Sequence, residues 1–307
     1  MKKGYKEELY SISNTLLLNI QNVNSYSLFE GKLGIAIYYY NFASCYNNEL
    51  YHQYANDIIK DLFANLKANK FDLLDSIEMS IGVSYLIKKK YIANDFKVMI
   101  SNIHKSLLLI NSNYLYRNHR KLTYIGVFLL KIIRKNSSTK EALINKVLAV
   151  YESMHYASHL PENYIDFLLY FLTNVGQVEK HKQKADSIIH RIRVEYFKLN
   201  HLKNINYDNF CLMTNIKTDF YIKESAKNGL YDSANHIKNN EEDLVNRFVK
   251  KNIYNLLFDI EASNGKIPIN ISSIVRDKQQ ILIEKNITLN DGLAGIGLAM
   301  LHHVDAK

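Results

Sequence analysis

Leu289-Asn290-Asp291-Gly292-Leu293-Ala294-Gly295-Ile296-Gly297-Leu298-Ala299-Met300-Leu301 is apolar almost all round, with small residues gathered near its start. A helix without a polar face is buried on every side. The same kind of segment recurs upstream. Ser27-Leu28-Phe29-Glu30-Gly31-Lys32-Leu33-Gly34-Ile35-Ala36-Ile37-Tyr38-Tyr39-Tyr40 is the first copy, and Ser76-Ile77-Glu78-Met79-Ser80-Ile81-Gly82-Val83-Ser84-Tyr85-Leu86-Ile87 is the second. Lys121-Leu122-Thr123-Tyr124-Ile125-Gly126-Val127-Phe128-Leu129-Leu130 is the third, and Asn163-Tyr164-Ile165-Asp166-Phe167-Leu168-Leu169-Tyr170-Phe171-Leu172 is a weaker fourth. Gly34, Gly82 and Gly126 fall roughly 45 residues apart, the length of a two-helix repeat.

Amphipathic segments lie between these copies. Tyr51, Tyr54, Ala55, Ile58, Ile59 and Leu62 share one face at helical spacing. Residues 96–110, 142–151, 185–197 and 244–258 repeat the pattern. One buried and one amphipathic helix per repeat make a double ring, with inner helices around a cavity and outer helices wrapped about them. A glycine at an inner-helix start lets neighbouring helices approach where the ring narrows, and the helix N-termini aim free N–H groups at the cavity. Two prolines in 307 residues leave few helix breaks. The expected fold is therefore all-α: one (α/α) toroid of six to seven inner and outer helices spanning residues 1–307, with the repeat around 240–287 shortened.

Glu30, Glu78 and Asp291 stand at or just before inner-helix starts. Capping and dipole complementation account for carboxylates there. In a ring they also face the cavity mouth, which makes them candidates for peptide contact. Glycosidase chemistry by paired carboxylates is disfavoured, because no tryptophan platform accompanies them.

Hydrophobic residues at 47% and charged residues at 22% fit a soluble globular protein. The net charge is +9, but the lysines read as scattered rather than striped, which argues against nucleic acid and suits an acidic peptide or protein partner. Lys88-Lys89-Lys90 fits a basic C-terminal helix turn. No window approaches 18 apolar residues, so no membrane span is expected, and the N-terminal stretch lacks a signal-peptide core. Cys45 and Cys211 make no disulfide framework. These features predict a cytoplasmic protein.

The inner-helix copies resemble those of the lanthionine synthetase C family, whose inner helices begin Gly-Leu-x-Gly-Ile. Gly292-Leu293-Ala294-Gly295-Ile296 matches in full, Gly31-Lys32-Leu33-Gly34-Ile35 matches apart from Lys32, and Glu78-Met79-Ser80-Ile81-Gly82-Val83 is an eroded version. The layout runs through the whole chain and is specific at its two ends. Cyclases of the family hold one zinc through a Trp-Cys-Tyr-Gly cysteine and a Cys-His-Gly pair; the metal activates a substrate thiol, which adds to a dehydrated Ser or Thr. By this resemblance Cys211 stands at the first ligand position, in Asn209-Phe210-Cys211-Leu212-Met213. No cysteine follows it, so the Cys-His-Gly segment is absent. The His-Gly segment of the acid/base histidine belongs near residues 160–165, where only the adjacent His159 offers a ring.

One ligand of three cannot hold catalytic zinc. The resemblance therefore implies a role in maturing ribosomally made, modified peptides of the lanthipeptide type, as a holder of the precursor peptide or of a modifying enzyme, with no cofactor. Two alternatives stay open: a zinc-dependent thioether cyclase whose ligands lie elsewhere, and a structural assembly subunit.

Cys211 as a nucleophile needs a base. Tyr207 and Asp208 are its near polar neighbours, offered as cavity or peptide contacts; a small buried hydrophobe is the plainer reading of the thiol. His302 and His303 are adjacent and point to different helix faces, so they do not form a ligand pair. His181, His190 and His201 lie in a basic stretch read as a solvated outer helix. Among 23 tyrosines the run 38–40 could line a peptide cavity.

Overall fold

In the computed structural model, the described residues are 3–67, 71–93, 97–117, 119–131, 138–155, 162–197, 241–258, 267–280, 287–290 and 292–305. All regular structure among them is helical. In chain order the helices are α1 (Lys3–Asn19), α2 (Lys32–Tyr46), α3 (Glu49–Lys67), α4 (Leu73–Lys88), α5 (Lys97–Leu109), α6 (Ser112–Arg117) and α7 (His119–Lys131), followed by α8 (Ser138–Ser153), α9 (Glu162–Val175), α10 (Glu179–Arg191), α11 (Glu241–Phe258), α12 (Ile271–Gln280) and α13 (Leu293–Asp305). A one-turn 3-10 segment, Ile20–Asn22, follows α1, and a π-helical turn, Ile192–Phe197, extends α10. The chain divides into two compact units, one formed by residues 1–97 with 239–307 and the other by residues 98–238.

In the first unit α2 is the central helix. Residues 33–40 are buried without interruption, as an all-round apolar pattern demands. The helix packs on α3, α4 and α13, and α13 packs in turn on α11 and α1. Its C-terminus closes at Asn47, which adopts the left-handed conformation at φ 50° that asparagine tolerates better than most residues. At α4, the Asp72 carboxylate accepts the Asp75 N–H at 2.7 Å, which caps the first turn, and Lys88 sits in the last turn as the dipole favours.

The tyrosine run 38–40 is core. All three residues are fully buried, and their hydroxyls are used up inside the unit. Tyr38 donates to Leu9 O at 3.0 Å and lies 2.8 Å from Ser13 Oγ, Tyr39 donates to Ser13 O at 3.2 Å, and Tyr40 donates to Asn56 Oδ1 at 2.7 Å. The rings bind α2 to α1 and α3 and supply large apolar area with every polar atom satisfied. They do not line a peptide cavity.

In the second unit α7 packs on α9, and α10 lies against both α8 and α9. A Cβ on Gly126 would stand 2.7 Å from Cγ of Phe171, so the glycine is what allows α9 to seat its ring there. Arg191 closes the end of α8 by donating to Glu152 O and Met154 O, both at 2.5 Å; these are terminal carbonyls with no partner of their own in the helix. Arg191→Ala is expected to lower stability by about 1–2 kcal/mol, with the loss appearing in urea melts; an unchanged midpoint would show that water serves those carbonyls equally well.

Candidate functional site

The helix starts singled out by the sequence are built by backbone contact. In the turn before α2, a Cβ on Gly34 would fall on Leu28 O. Before α13, a Cβ on Gly295 would fall on Leu289 O. Leu28 and Leu289 each precede their glycine by the same number of residues, so the two ends of the chain fold the motif in one way: the loop doubles back over the first turn, and only hydrogen fits between. Gly31 is enclosed likewise, with Ser27 N and O and Ser25 O all within reach of a Cβ.

The loops are then joined by paired amides. Leu28 N–H and Phe29 N–H both donate to Oε1 of Glu78 on α4, at 3.0 and 3.1 Å. Leu289 N–H and Asn290 N–H, which hold the matching places in the last copy, both donate to Phe29 O at 3.1 and 2.9 Å. Each loop thus presents two adjacent N–H groups to an acceptor on the neighbouring copy, a carboxylate in one case and a carbonyl in the other. In both places two adjacent donors converge on one oxygen.

Glu78 is 6% exposed. Burial, opposed by the two amide hydrogen bonds and reinforced by the negative charges of Asp75 and Glu30, pushes its carboxyl up to about 7. It is an internal clamp between α4 and the loop of the preceding copy, and is partly protonated at neutral pH. Glu30, on that loop, is exposed. Asp291, Cys211, Tyr207 and Asp208 lie outside the described residues. The structure therefore brings Glu78 together with the loop carrying Glu30. The partners that sequence reasoning missed, the amides of Leu28 and Phe29 and the carbonyl of Phe29, are backbone atoms that leave no residue-type signature.

The histidines separate as adjacency requires. His302 Nδ1 lies 3.0 Å from Asn252 Oδ1, while the His303 ring meets Phe248. His181 departs from the solvated-helix reading. It is 4% exposed, and its Nε2 lies 2.7 Å from Oε1 of Glu141, whose other oxygen is 2.7 Å from Lys180 Nζ. The hydrogen bond from Lys180 leads in holding the Glu141 carboxyl below its usual range. Glu141 sits on α8, so this pairing draws one residue of a basic helix inward; His190 on the same helix remains exposed.

A zinc of the thiol-activating kind requires a cluster of thiolate and imidazole donors. The chain's two thiols are Cys45 and Cys211. Cys45 is a half-buried residue in the last turn of α2, outside any disulfide, and among the described residues no three His, Cys, Asp or Glu side chains form a group able to hold a metal. Among the described residues the donor set does not fit that ion, and Cys211 lies outside them. Among the described residues no helix is long and apolar enough to cross a membrane. The chain matches no protein-family model, no curated protein and no solved structure.

Proposed function

We propose that the chain is a lanthionine synthetase C-like (α/α) toroid that holds a precursor peptide, or an enzyme that modifies it, without closing thioether rings itself. The observation that carries this reading is the shared construction of the two terminal helix starts. Gly34 and Gly295 pass beneath matching leucine carbonyls, and the first and last buried helices, α2 and α13, pack against one another. A closed ring needs such a contact between its first and last inner helices. The donor chemistry supports the non-catalytic half of the reading, because Cys211 has no second cysteine beyond it.

The test is elemental analysis of the purified protein beside Cys211→Ala, together with titration of peptides encoded near it. The expected result is zinc far below one per chain in both samples and saturable binding of one such peptide. Zinc near one per chain that disappears in the variant would overturn the reading and restore thiol-addition chemistry. A stable complex with a second protein, without peptide affinity, would instead identify an assembly subunit.

A further inference from the structure

The positive charge is concentrated. Nine of the 39 Lys and Arg residues, and none of the 30 Asp and Glu, fall in residues 96–140. That segment alone accounts for the chain's net +9; the remainder balances at 30 against 30. From Val98 onward it belongs to the second unit, where it forms most of α5, all of α6 and α7, and the start of α8. A run this long without one carboxylate is not the scattered pattern of a solvated surface, in which both signs alternate.

The corner between α5 and α6 also exposes large apolar groups. Leu109 is 87% exposed, Tyr116 50% and Tyr114 37%. Lys105 stands four residues before Leu109 on α5, and Arg117 three after Tyr114 on α6, spacings that place each cation on the same helix face as an apolar group. Both cations are exposed, and neither joins an ion pair among the described residues. The corner is held in shape from beneath. Leu115 is buried, and Lys146 Nζ on α8 donates to Ile110 O at 2.6 Å.

We propose that this corner is the docking surface for an acidic peptide segment that carries large apolar residues. The proposal takes its class of partner from the peptide-holding reading, and its place from charge and exposure. Uncompensated cations select carboxylates, and exposed Leu and Tyr gain only if the partner brings apolar area to cover them. Tyrosine and arginine are also the side chains that dominate binding between protein surfaces. A phosphate backbone would answer the charge and leave Leu109 uncovered. A bilayer would answer Leu109, but the other exposed residues of 101–113 are mainly serine and asparagine, which do not enter lipid.

The experiment measures anisotropy of a labelled synthetic peptide of aspartate, glutamate and leucine against the full chain. The unlabelled competitors are a single-stranded oligonucleotide and phosphatidylserine vesicles. The expected result is saturable binding that weakens with salt, falls by roughly tenfold or more in Lys105→Glu/Arg117→Glu, and falls severalfold in Leu109→Ser. All three positions are exposed, and circular dichroism of the variants should match the parent. Absence of peptide binding, variants that bind as the parent does, or an oligonucleotide or vesicle bound more tightly than the peptide would each overturn the proposal. A nearby-encoded peptide that binds but ignores these substitutions would overturn the corner and leave the holding reading standing. Binding of the acidic peptide here, with none of the encoded peptides bound, would do the reverse.

Discussion

Glu78→Ala is expected to destabilise the fold by about 2–5 kcal/mol, because it leaves two buried amides, those of Leu28 and Phe29, without an acceptor. Glu78→Gln should act in the opposite direction above neutral pH, since its carbonyl oxygen can accept the same two hydrogen bonds without a charge. The sign follows from the carboxyl's position near 7 in the fold against an ordinary 4.5. The folded state holds this proton more tightly than the unfolded chain does. The associated stability is therefore fully present below about pH 4.5, declines as pH rises from there to about 7, and stays lost above. At pH 8 the ionisation cost is on the order of 3 kcal/mol. Melting temperatures between pH 5 and 8 should show the glutamine variant overtaking the parent as pH rises. Parallel profiles would mean that the carboxyl titrates normally and that the clamp is solvated.

Gly34→Ala and Gly295→Ala should each cost about 3 kcal/mol or more. In both, the new methyl would collide with a backbone carbonyl, Leu28 O in the first and Leu289 O in the second, and a backbone atom cannot swing aside as a side chain can. Gly82→Ala provides the internal comparison. Its Cβ would meet Leu28 Cδ1 and Leu33 Cδ2, both at 2.8 Å, which are ends of flexible side chains, so a cost of about 1–2 kcal/mol is expected. Urea unfolding with matched m-values ranks the three. An equal cost at all three sites would refute the view that backbone closure, rather than general crowding, fixes glycine at the two outer copies.

How far the sequence could be read depended on whether the partner of a residue lay nearby in the chain. The buried helices were legible because α2 and α13 are apolar almost all round, a pattern that keeps a helix out of water, and at 15 and 13 residues both are too short to span a bilayer. The glycine starts were legible because they recur. The tyrosine run was not: its apolar bodies and polar tips suit a cavity wall as well as a core, and the deciding atoms, Leu9 O, Ser13 and Asn56, belong to other helices. Glu78 was visible as a carboxylate at a helix start, but its acceptor role is fixed by amides about 50 residues away. The burial of His181 is hidden in the sequence for the same reason, since its partner Glu141 lies on α8. The charge imbalance needed no structure. It lies in the missing carboxylates of 96–140 more than in the density of lysine there.

The two ends of the chain meet inside the first unit. The meeting is made by α13 against α2, by Leu289 and Asn290 on Phe29, by Ser272 Oγ donating to Glu8 Oε2 at 2.7 Å, and by Gln279 Nε2 donating to Ser11 Oγ and Thr15 Oγ1. This arrangement has a consequence during translation. The α2 helix is complete at Tyr46 and α13 starts at Leu293, so roughly 250 residues separate them, tens of seconds at ~5–20 residues per second. Through that interval the nascent chain carries an apolar helix with one flank open, and the whole of the 98–238 unit is made before α13 begins. The unit built from both ends lacks its last helix until then, and the flank of α2 that α13 covers is the apolar surface left open.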